Sequence, residues 1–277
     1  MLDIKTALAR AYQQLQSVSD TARLDAQVLL CFVLDVEKPY LIAHDDHVLT
    51  DAEQSKYDAL IARRASGEPI AYIVGYKDFW DMRFMVSPAV LIPRPETEHL
   101  IEVALEWLKD KPNAVVADIG TGSGAIAVTI AKHSNARVHA IDVSDDALAI
   151  AQTNARDNQV NVTFHHGNLA QPLINQSINI DLLLANLPYI ATNNLAQLEV
   201  RKHEPTLALD GGDDGLDLVR ELLKQVPDIC NDNALILLEI GMEQGQAVRE
   251  LAQALSPQSV RVIQDLAGLD RIMAIVL

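Results

Sequence analysis

Hydrophobic positions follow two different rhythms along this chain. Up to about residue 75 they recur at helical spacing, in Ile4, Leu8 and Leu15 and then in Leu24, Val28 and Leu29, as in amphipathic helices that bury one face. A small helical bundle is predicted for 1–75. Its third helix should begin at Thr50-Asp51-Ala52-Glu53, where the Thr hydroxyl and the Glu carboxylate can each pair with a backbone N–H left free in the first turn, and should end near Gly67. Residues 82–86 then alternate, with aromatic residues nearby and Pro88 and Pro93 as punctuation, so a short β-hairpin connector is predicted over 76–92. From residue 113 the rhythm changes to seven apolar, β-rich runs at 114–120, 136–142, 161–166, 180–186, 234–240, 260–265 and 272–277, separated by helical segments. Hydrophobicity is nearly continuous in 181–184 and 234–238, which predicts strands covered on both faces, as in a parallel sheet flanked by helices. Only Ala267-Gly268-Leu269-Asp270 joins the last two runs. That is too short for a helical crossover, so they should pair antiparallel. The expected fold class is α/β.

Composition changes this picture mainly by exclusion. With 277 residues, 49% of them hydrophobic, the chain can bury a full core in one large domain plus a small one. A formal charge of −16 and a pI near 4.8 oppose a polyanionic partner, because nucleic-acid affinity comes largely from Lys and Arg neutralising phosphates. No stable nucleic-acid binding is expected. Cys31 and Cys230 lie far apart, which supports neither a disulfide framework nor a thiolate metal site and suits a reducing cytoplasm. The N-terminus lacks the basic start and apolar core of a signal peptide, and no run approaches the ~20 apolar residues of a membrane span. A soluble, cytoplasmic monomer is the expectation. His165-His166 and His44-Asp45-Asp46-His47 lack metal-site spacing and read as surface polar residues, so no metal is expected. Arg63-Arg64 reads as a solvated helix face.

The candidate chemistry starts at Asp118-Ile119-Gly120-Thr121-Gly122-Ser123-Gly124, which follows a predicted strand and precedes a helix, the place where an open α/β sheet binds its ligand. Glycines let the backbone turn sharply and approach a ligand closely, although a tight strand-to-helix turn would use them too. The next strand ends in Ile141-Asp142, about 20 residues on, where an acidic side chain can accept both hydroxyls of a ribose. A nucleoside cofactor follows, and both NAD and S-adenosylmethionine satisfy this logic. The loop departs from the GxGxxG spacing that sets a pyrophosphate at a helix N-terminus. With Asp118 ahead of it, it resembles the cofactor motif of class I methyltransferases. Glu239-Ile240-Gly241 ends another predicted strand at the ligand edge, where a plain strand-to-helix turn explains the glycine equally well.

Directly after the run at 181–185 stands Asn186-Leu187-Pro188-Tyr189. It resembles the Asn-Pro-Pro-Tyr motif of methyltransferases that act on amide or aromatic amino nitrogens; the bland alternative is an Asn turn before Pro. A planar NH2 group has its lone pair delocalised and is a poor nucleophile. Acceptors holding its two protons would orient the nitrogen and favour loss of planarity. Asn186 Oδ1 and the Leu187 carbonyl are assigned as those acceptors, with Pro188 fixing the turn and Tyr189 packing on the planar substrate group.

Four further stretches carry a wider likeness: Glu68-Pro69-Ile70-Ala71-Tyr72-Ile73 with Gly75 and Phe79-Trp80; Val90-Leu91-Ile92-Pro93-Arg94-Pro95-Glu96-Thr97-Glu98; Glu204-Pro205 with Ala208-Leu209-Asp210-Gly211-Gly212 and Asp214-Gly215-Leu216; and Asp265-Leu266-Ala267-Gly268 with Asp270-Arg271. Over nearly its whole length the chain resembles the release factor glutamine methyltransferases, the PrmC or HemK family. The resemblance implies a helical domain at 1–75 that recognises class I peptide chain release factors, a hairpin connector at 76–92, and a class I (Rossmann-like) methyltransferase domain with a seven-stranded sheet at 93–277. That domain would transfer a methyl group from S-adenosyl-L-methionine to N5 of the glutamine in a Gly-Gly-Gln motif, leaving S-adenosyl-L-homocysteine. By the same resemblance Gly120, Thr121, Gly122, Ser123, Gly124, Asp142, Asn168, Leu169 and Asn186 bind the cofactor, and Asn186, Leu187, Pro188 and Tyr189 bind the glutamine. The segment from Pro93 to Glu98 either lies over the cofactor or is a capped helix start.

Three positions depart from the family pattern. Leu187 stands where Pro is usual but keeps the backbone carbonyl. Asn168-Leu169 replaces an acidic residue and a bulky one, and an amide oxygen is a weaker acceptor for an adenine amino group than a carboxylate, so reduced cofactor affinity is expected. Asp81 replaces a common Gly and touches no proposed chemistry. Two rival readings are an adenine-N6 methyltransferase on RNA or DNA, opposed by the acidic charge and by the N-terminal place of the helical region, and a non-catalytic protein that docks on release factors or ribosomes. The Asn168 and Leu187 departures keep the second rival open; Asp142 and Asn186 weigh against it.

Overall fold

A computed structural model describes residues 1–277 except 197, 199–201 and 266; Leu266 of the last family-like segment lies outside the described residues. The chain divides into two compact units, Met1–Tyr76 and Lys77–Leu277.

The first unit contains α1 (Ile4–Leu15), α2 (Ala22–Leu34), α3 (Lys38–Ala43), α4 (Asp51–Ala65) and α5 (Ile70–Val74). Ile4, Ala7, Ala11 and Leu15 pack with Ala26, Leu29, Leu30, Tyr57 and Ile61. Tyr57 donates its hydroxyl to the Ala26 carbonyl at 3.0 Å, which satisfies the polar atom that its burial would otherwise orphan. The capping box at Thr50 and Glu53 forms with both of its hydrogen bonds. It opens the fourth helix rather than the third, because Pro39 in a first turn starts a six-residue helix too short to show a period in the sequence. Two other expectations are corrected. Leu24 is exposed, and α2 turns Ala22, Ala26, Leu29 and Leu30 inward instead. Arg64 is no solvated residue: its Nε donates to Asp25 Oδ2 at 2.7 Å in a largely buried pair, and Asp25 also accepts from the Ser19 and Thr21 hydroxyls.

In the hairpin, β1 (Tyr76–Phe79) pairs with β2 (Met82–Met85). Met82 and Phe84 are buried while Arg83 and Met85 face outward, as alternation requires. Trp80 takes a left-handed φ of 56° at the turn, and its N–H is held by Glu98 Oε1 at 2.9 Å from α6 (Thr97–Leu108).

The large sheet contains β3 (Val115–Ile119), β4 (Arg137–Asp142), β5 (Val162–His166), β6 (Ile180–Ala185), β7 (Cys230–Glu239), β8 (Ser259–Gln264) and β9 (Asp270–Val276), in the order β5-β4-β3-β6-β7-β9-β8. The first five run parallel. Strand β9 is antiparallel to β8, as the short connection predicted, and also to β7. Side chains alternate between two cores. Val116, Leu182, Leu184 and Leu237 pack with Leu100 and Ile101 of α6 and with α7 (Ala125–His133). Ala117, Ile119, Leu183 and Leu238 pack with Val219 and Leu222 of a helix at Asp217–Gln225 and Val248 of one at Gly245–Ala252. Each fully buried Leu or Ile contributes roughly 1.5–3 kcal/mol, so the apolar strands must sit at the middle of this layered structure. From β3 the chain moves outward to β4 and β5, and then returns across β3 to β6 and β7. That reversal opens a crevice at the carboxyl ends of the strands. Among the described residues no helix is long and apolar enough to cross a membrane.

Candidate active site

A cavity of about 450 Å³ occupies this crevice. Gly120, Thr121, Gly122 and Ser123 line it after β3, Asp142 at the end of β4, Asn168 and Leu169 after β5, and Asn186, Leu187 and Pro188 after β6. Gly124 and Tyr189 do not line it. Gly124 is the N-cap residue of α7, and Tyr189 engages the fold through its carbonyl.

The loop after β3 is held by bonds close in sequence. Gly120 and Thr121 both donate their N–H groups to the Ile141 carbonyl at 2.9 Å. Asp142 accepts the Gly122 N–H on Oδ2 at 2.8 Å and the Ser144 N–H on Oδ1 at 2.9 Å, and each carboxylate oxygen keeps a lone pair for a ligand. Beneath the loop, fully buried Asp118 accepts the Thr121 hydroxyl at 2.6 Å and the Ala127 N–H at 3.1 Å on Oδ2. Burial pushes its carboxyl up to about 7, against the opposing pull of those two hydrogen bonds. Asn168 donates Nδ2 to Glu221 Oε1 at 2.7 Å. Its amide is thereby oriented with the oxygen left as a free acceptor, the arrangement a neutral replacement for a carboxylate needs.

The loop after β6 is held from a distance. Asn186 donates Nδ2 to Thr97 Oγ1 at 3.1 Å, and Thr97 in turn donates to Glu239 Oε2 at 2.7 Å. Asn186 Oδ1 and the Leu187 carbonyl accept no hydrogen bond among the described residues. The Leu187 side chain is buried beside Gly120, where an added Cβ would come within 3.1 Å of Leu187 Cδ2; the residue that departs from the family pattern thus joins the two loops. Gln244 donates Nε2 to the Tyr189 carbonyl at 3.0 Å while its Oε1 takes the Gly241 N–H at 2.9 Å. Gly215, at φ 79°, lies so close that a Cβ there would sit 2.2 Å from that same carbonyl. The segment around Asp210 pairs with Ile190, which donates to Leu209 and accepts from Gly211. Burial raises the Tyr189 phenol above its ordinary range, with Glu239 adding to the effect.

The segment from Pro93 to Glu98 is both a cavity wall and the entry to a helix, although Glu96 at the N-cap makes no side-chain capping bond. Pro93, Arg94 and Thr97 line the cavity, and α6 starts at Thr97. Arg94 pairs at 2.6 Å with buried Glu204, just ahead of Pro205, Leu207 and Ala208 on the lining. Thr97, Gln244 and Glu204 were not singled out individually by sequence reasoning. Thr97 and Glu204 sat inside family-like stretches; nothing local pointed to Gln244. The histidines lie elsewhere, and His165 is buried rather than a surface residue: its Nε2 is 2.9 Å from His139 Nδ1, while His44 stacks on Tyr40.

Comparison with known proteins agrees with this geometry. Residues 6–75 match the PrmC N-terminal domain, and residues 116–201 match a methyltransferase domain. The release factor glutamine methyltransferase of Moorella thermoacetica is 41% identical over 277 residues, covering 98% of this chain and 97% of that protein. The enzyme of the same name from Aliivibrio fischeri is 39% identical, covering 98% and 96%. The solved structure of a methyltransferase from Pyrococcus furiosus shares the fold, with a TM-score of 0.55 at 20% identity over 80% of this chain and 98% of that one. Full-length likeness at this level, on a sheet whose switch point carries both motifs, means that the chain belongs to the release factor glutamine methyltransferase family.

Proposed function

We propose that this chain transfers the methyl group of S-adenosyl-L-methionine to N5 of the glutamine in the Gly-Gly-Gln motif of class I peptide chain release factors, supporting translation termination in the cytoplasm and leaving S-adenosyl-L-homocysteine. The observation that carries it is a pair of unengaged acceptors, Asn186 Oδ1 and the Leu187 carbonyl, on the wall of a cavity that also presents Gly120–Ser123 and Asp142. The relatives named above support the choice of substrate. The unit Met1–Tyr76 is assigned to recognition of the release factor, and neither a metal nor nucleic acid is required.

The residues present fit the cofactor. The cavity falls in the size range of nucleoside sites. A Cβ at Gly122 would meet nothing within 4 Å, so its backbone faces open space. Asp142 would take the ribose hydroxyls, Asn168 Oδ1 the adenine amino group, and Leu169 the apolar face of the base. When bound, S-adenosyl-L-methionine supplies an electrophilic methyl carbon on a sulfonium leaving group. Asn186 and Leu187 would accept one N–H each from the glutamine amide and fix its plane and direction. No strong base is needed, because the amide proton can pass to solvent after the N–C bond forms.

The test is methyl transfer from labelled cofactor to purified release factor, to its glutamine-to-alanine variant, and with Asn186→Ala enzyme, the label being located by mass spectrometry. Label on that glutamine, lost in both variants, is expected. Cofactor binding without transfer would refute the reading in favour of a docking protein, and label in ribosomal RNA would refute it in favour of an adenine methyltransferase.

A further inference from the structure

We infer that Thr97 and Glu239 are positioning residues: together they decide which end of the Asn186 amide faces the substrate. The inference rests on the reading of Asn186 as an acceptor. The three residues come from the first turn of α6, the last residue of β7 and the residue after β6. Thr97 and Glu239 are 4% and 3% exposed, so water does not substitute for either. A hydroxyl has one proton. Thr97 gives it to Glu239 Oε2 at 2.7 Å, which leaves only lone pairs toward Asn186, and Asn186 accordingly presents its NH2 to Thr97 at 3.1 Å. Oδ1, the other end of the planar amide, thereby points away from Thr97. In the reverse chain Thr97 would donate to Asn186 Oδ1, and the substrate NH2 would meet another NH2 there, leaving the Leu187 carbonyl to accept one of its two protons and nothing to accept the other.

A carboxylate at 239 enforces the productive direction because it can only accept; a neutral carboxyl can donate and permits the reverse. The charges around Glu239 come from separate elements. Burial above all, with Glu96 ahead of α6, opposes the ionised form, whereas the Thr97 hydrogen bond, Arg271 on β9 and the nearby Asn186 NH2 favour it, leaving the group at about 7. Tyr189 also feels Glu239, together with Arg94, Arg271 and Glu96. The family-like segment ending in Asp270-Arg271 thereby contributes to the site, because the Arg271 guanidinium, paired with Asp265 at 3.0 Å, supplies positive charge near Glu239.

The test compares Thr97→Val, which keeps the shape and removes the hydroxyl, with Thr97→Ser, which restores it, and with Glu239→Gln. Thr97→Val should lower kcat by on the order of 10- to 100-fold with KM for the release factor and cofactor affinity within about 3-fold, and Thr97→Ser should recover most of the rate. In wild type kcat should rise as pH passes through about 7, and Glu239→Gln should flatten that rise. Thr97→Val activity within about 2-fold of wild type, or loss of cofactor affinity and thermal stability in step with kcat, would overturn the inference. Hydrogen exchange of the Asn186 side-chain NH2, followed by NMR, is independent of the substrate. Slow exchange in wild type and Thr97→Ser but fast exchange in Thr97→Val supports the relay even if no release factor is methylated, which would count against the proposed function alone; equal exchange in all three refutes the relay.

Discussion

The two halves of the cavity are built by opposite means. The half after β3 and β4 is tied by bonds spanning about one βα unit: Gly120 and Thr121 to Ile141, Gly122 to Asp142, and Asp118 to Thr121 and Ala127. The half after β6 is tied by side chains 89 and 55 residues away in sequence, Thr97 and Gln244, with a further bond from Thr97 to Glu239 across 142 residues. A cofactor common to many reactions can be held by a transferable local loop. Two acceptors that must face one amide group need their orientation set from several directions, and only distant segments approach from several directions.

Substitutions should separate the halves. The largest effect is expected for Asn186→Ala, which removes the acceptor proposed for the glutamine amide: kcat should fall by about 1000-fold while cofactor affinity, read by calorimetry, changes only a few-fold. Gly215→Ala comes next, since its Cβ would collide with the Tyr189 carbonyl from a left-handed backbone. We expect a loss of about 3 kcal/mol in denaturant unfolding, together with reduced kcat. Both halves contain a buried acid, and both acids act on stability in the same sense. Asp118 and Glu239 are each raised to about 7, above their unfolded values. The stability they contribute is fully present below the unfolded pKa and is lost as pH rises through about 7, on the order of 3–4 kcal/mol per group. Asp118→Asn and Glu239→Gln should each flatten that slope in unfolding curves recorded between about pH 4 and 8; an unchanged slope would show the carboxyl to be less perturbed than its burial implies. The smallest effect is expected for Asp142→Asn, which keeps one acceptor oxygen. Cofactor affinity should weaken about 10-fold with kcat retained at saturation, and a loss of kcat instead would make the two halves a single coupled unit.

Particular residues show where the sequence was legible. The seven strands, the capping box at Thr50 and the antiparallel final pair were readable because each depends on periodicity or on groups within a few residues of one another. Leu24 was misassigned because a helix with apolar residues on more than one side does not announce which side faces inward, and Arg64 because its partner Asp25 lies 39 residues away. In the sequence the departure at Leu187 is tolerable, since the backbone carbonyl stays, and that at Asn168 is a weakness. In the fold each has a neighbour that gives it a use, Gly120 for the first and Glu221 for the second.

The sequence by itself determined the layered α/β architecture, the place of the glycine loop between a strand and a helix, and the residue types that can hold an amide. These follow from hydrophobic period, glycine's freedom and donor and acceptor chemistry, all local properties of the chain. Only the tertiary structure decided which way the Asn186 amide points, that Glu239 and Thr97 stand behind it, and that Gln244 and Gly215 brace the Tyr189 carbonyl. Those outcomes depend on which distant segments come within 3 Å or so of one another, a distance set by packing two cores against one sheet and not written in any stretch of neighbouring residues.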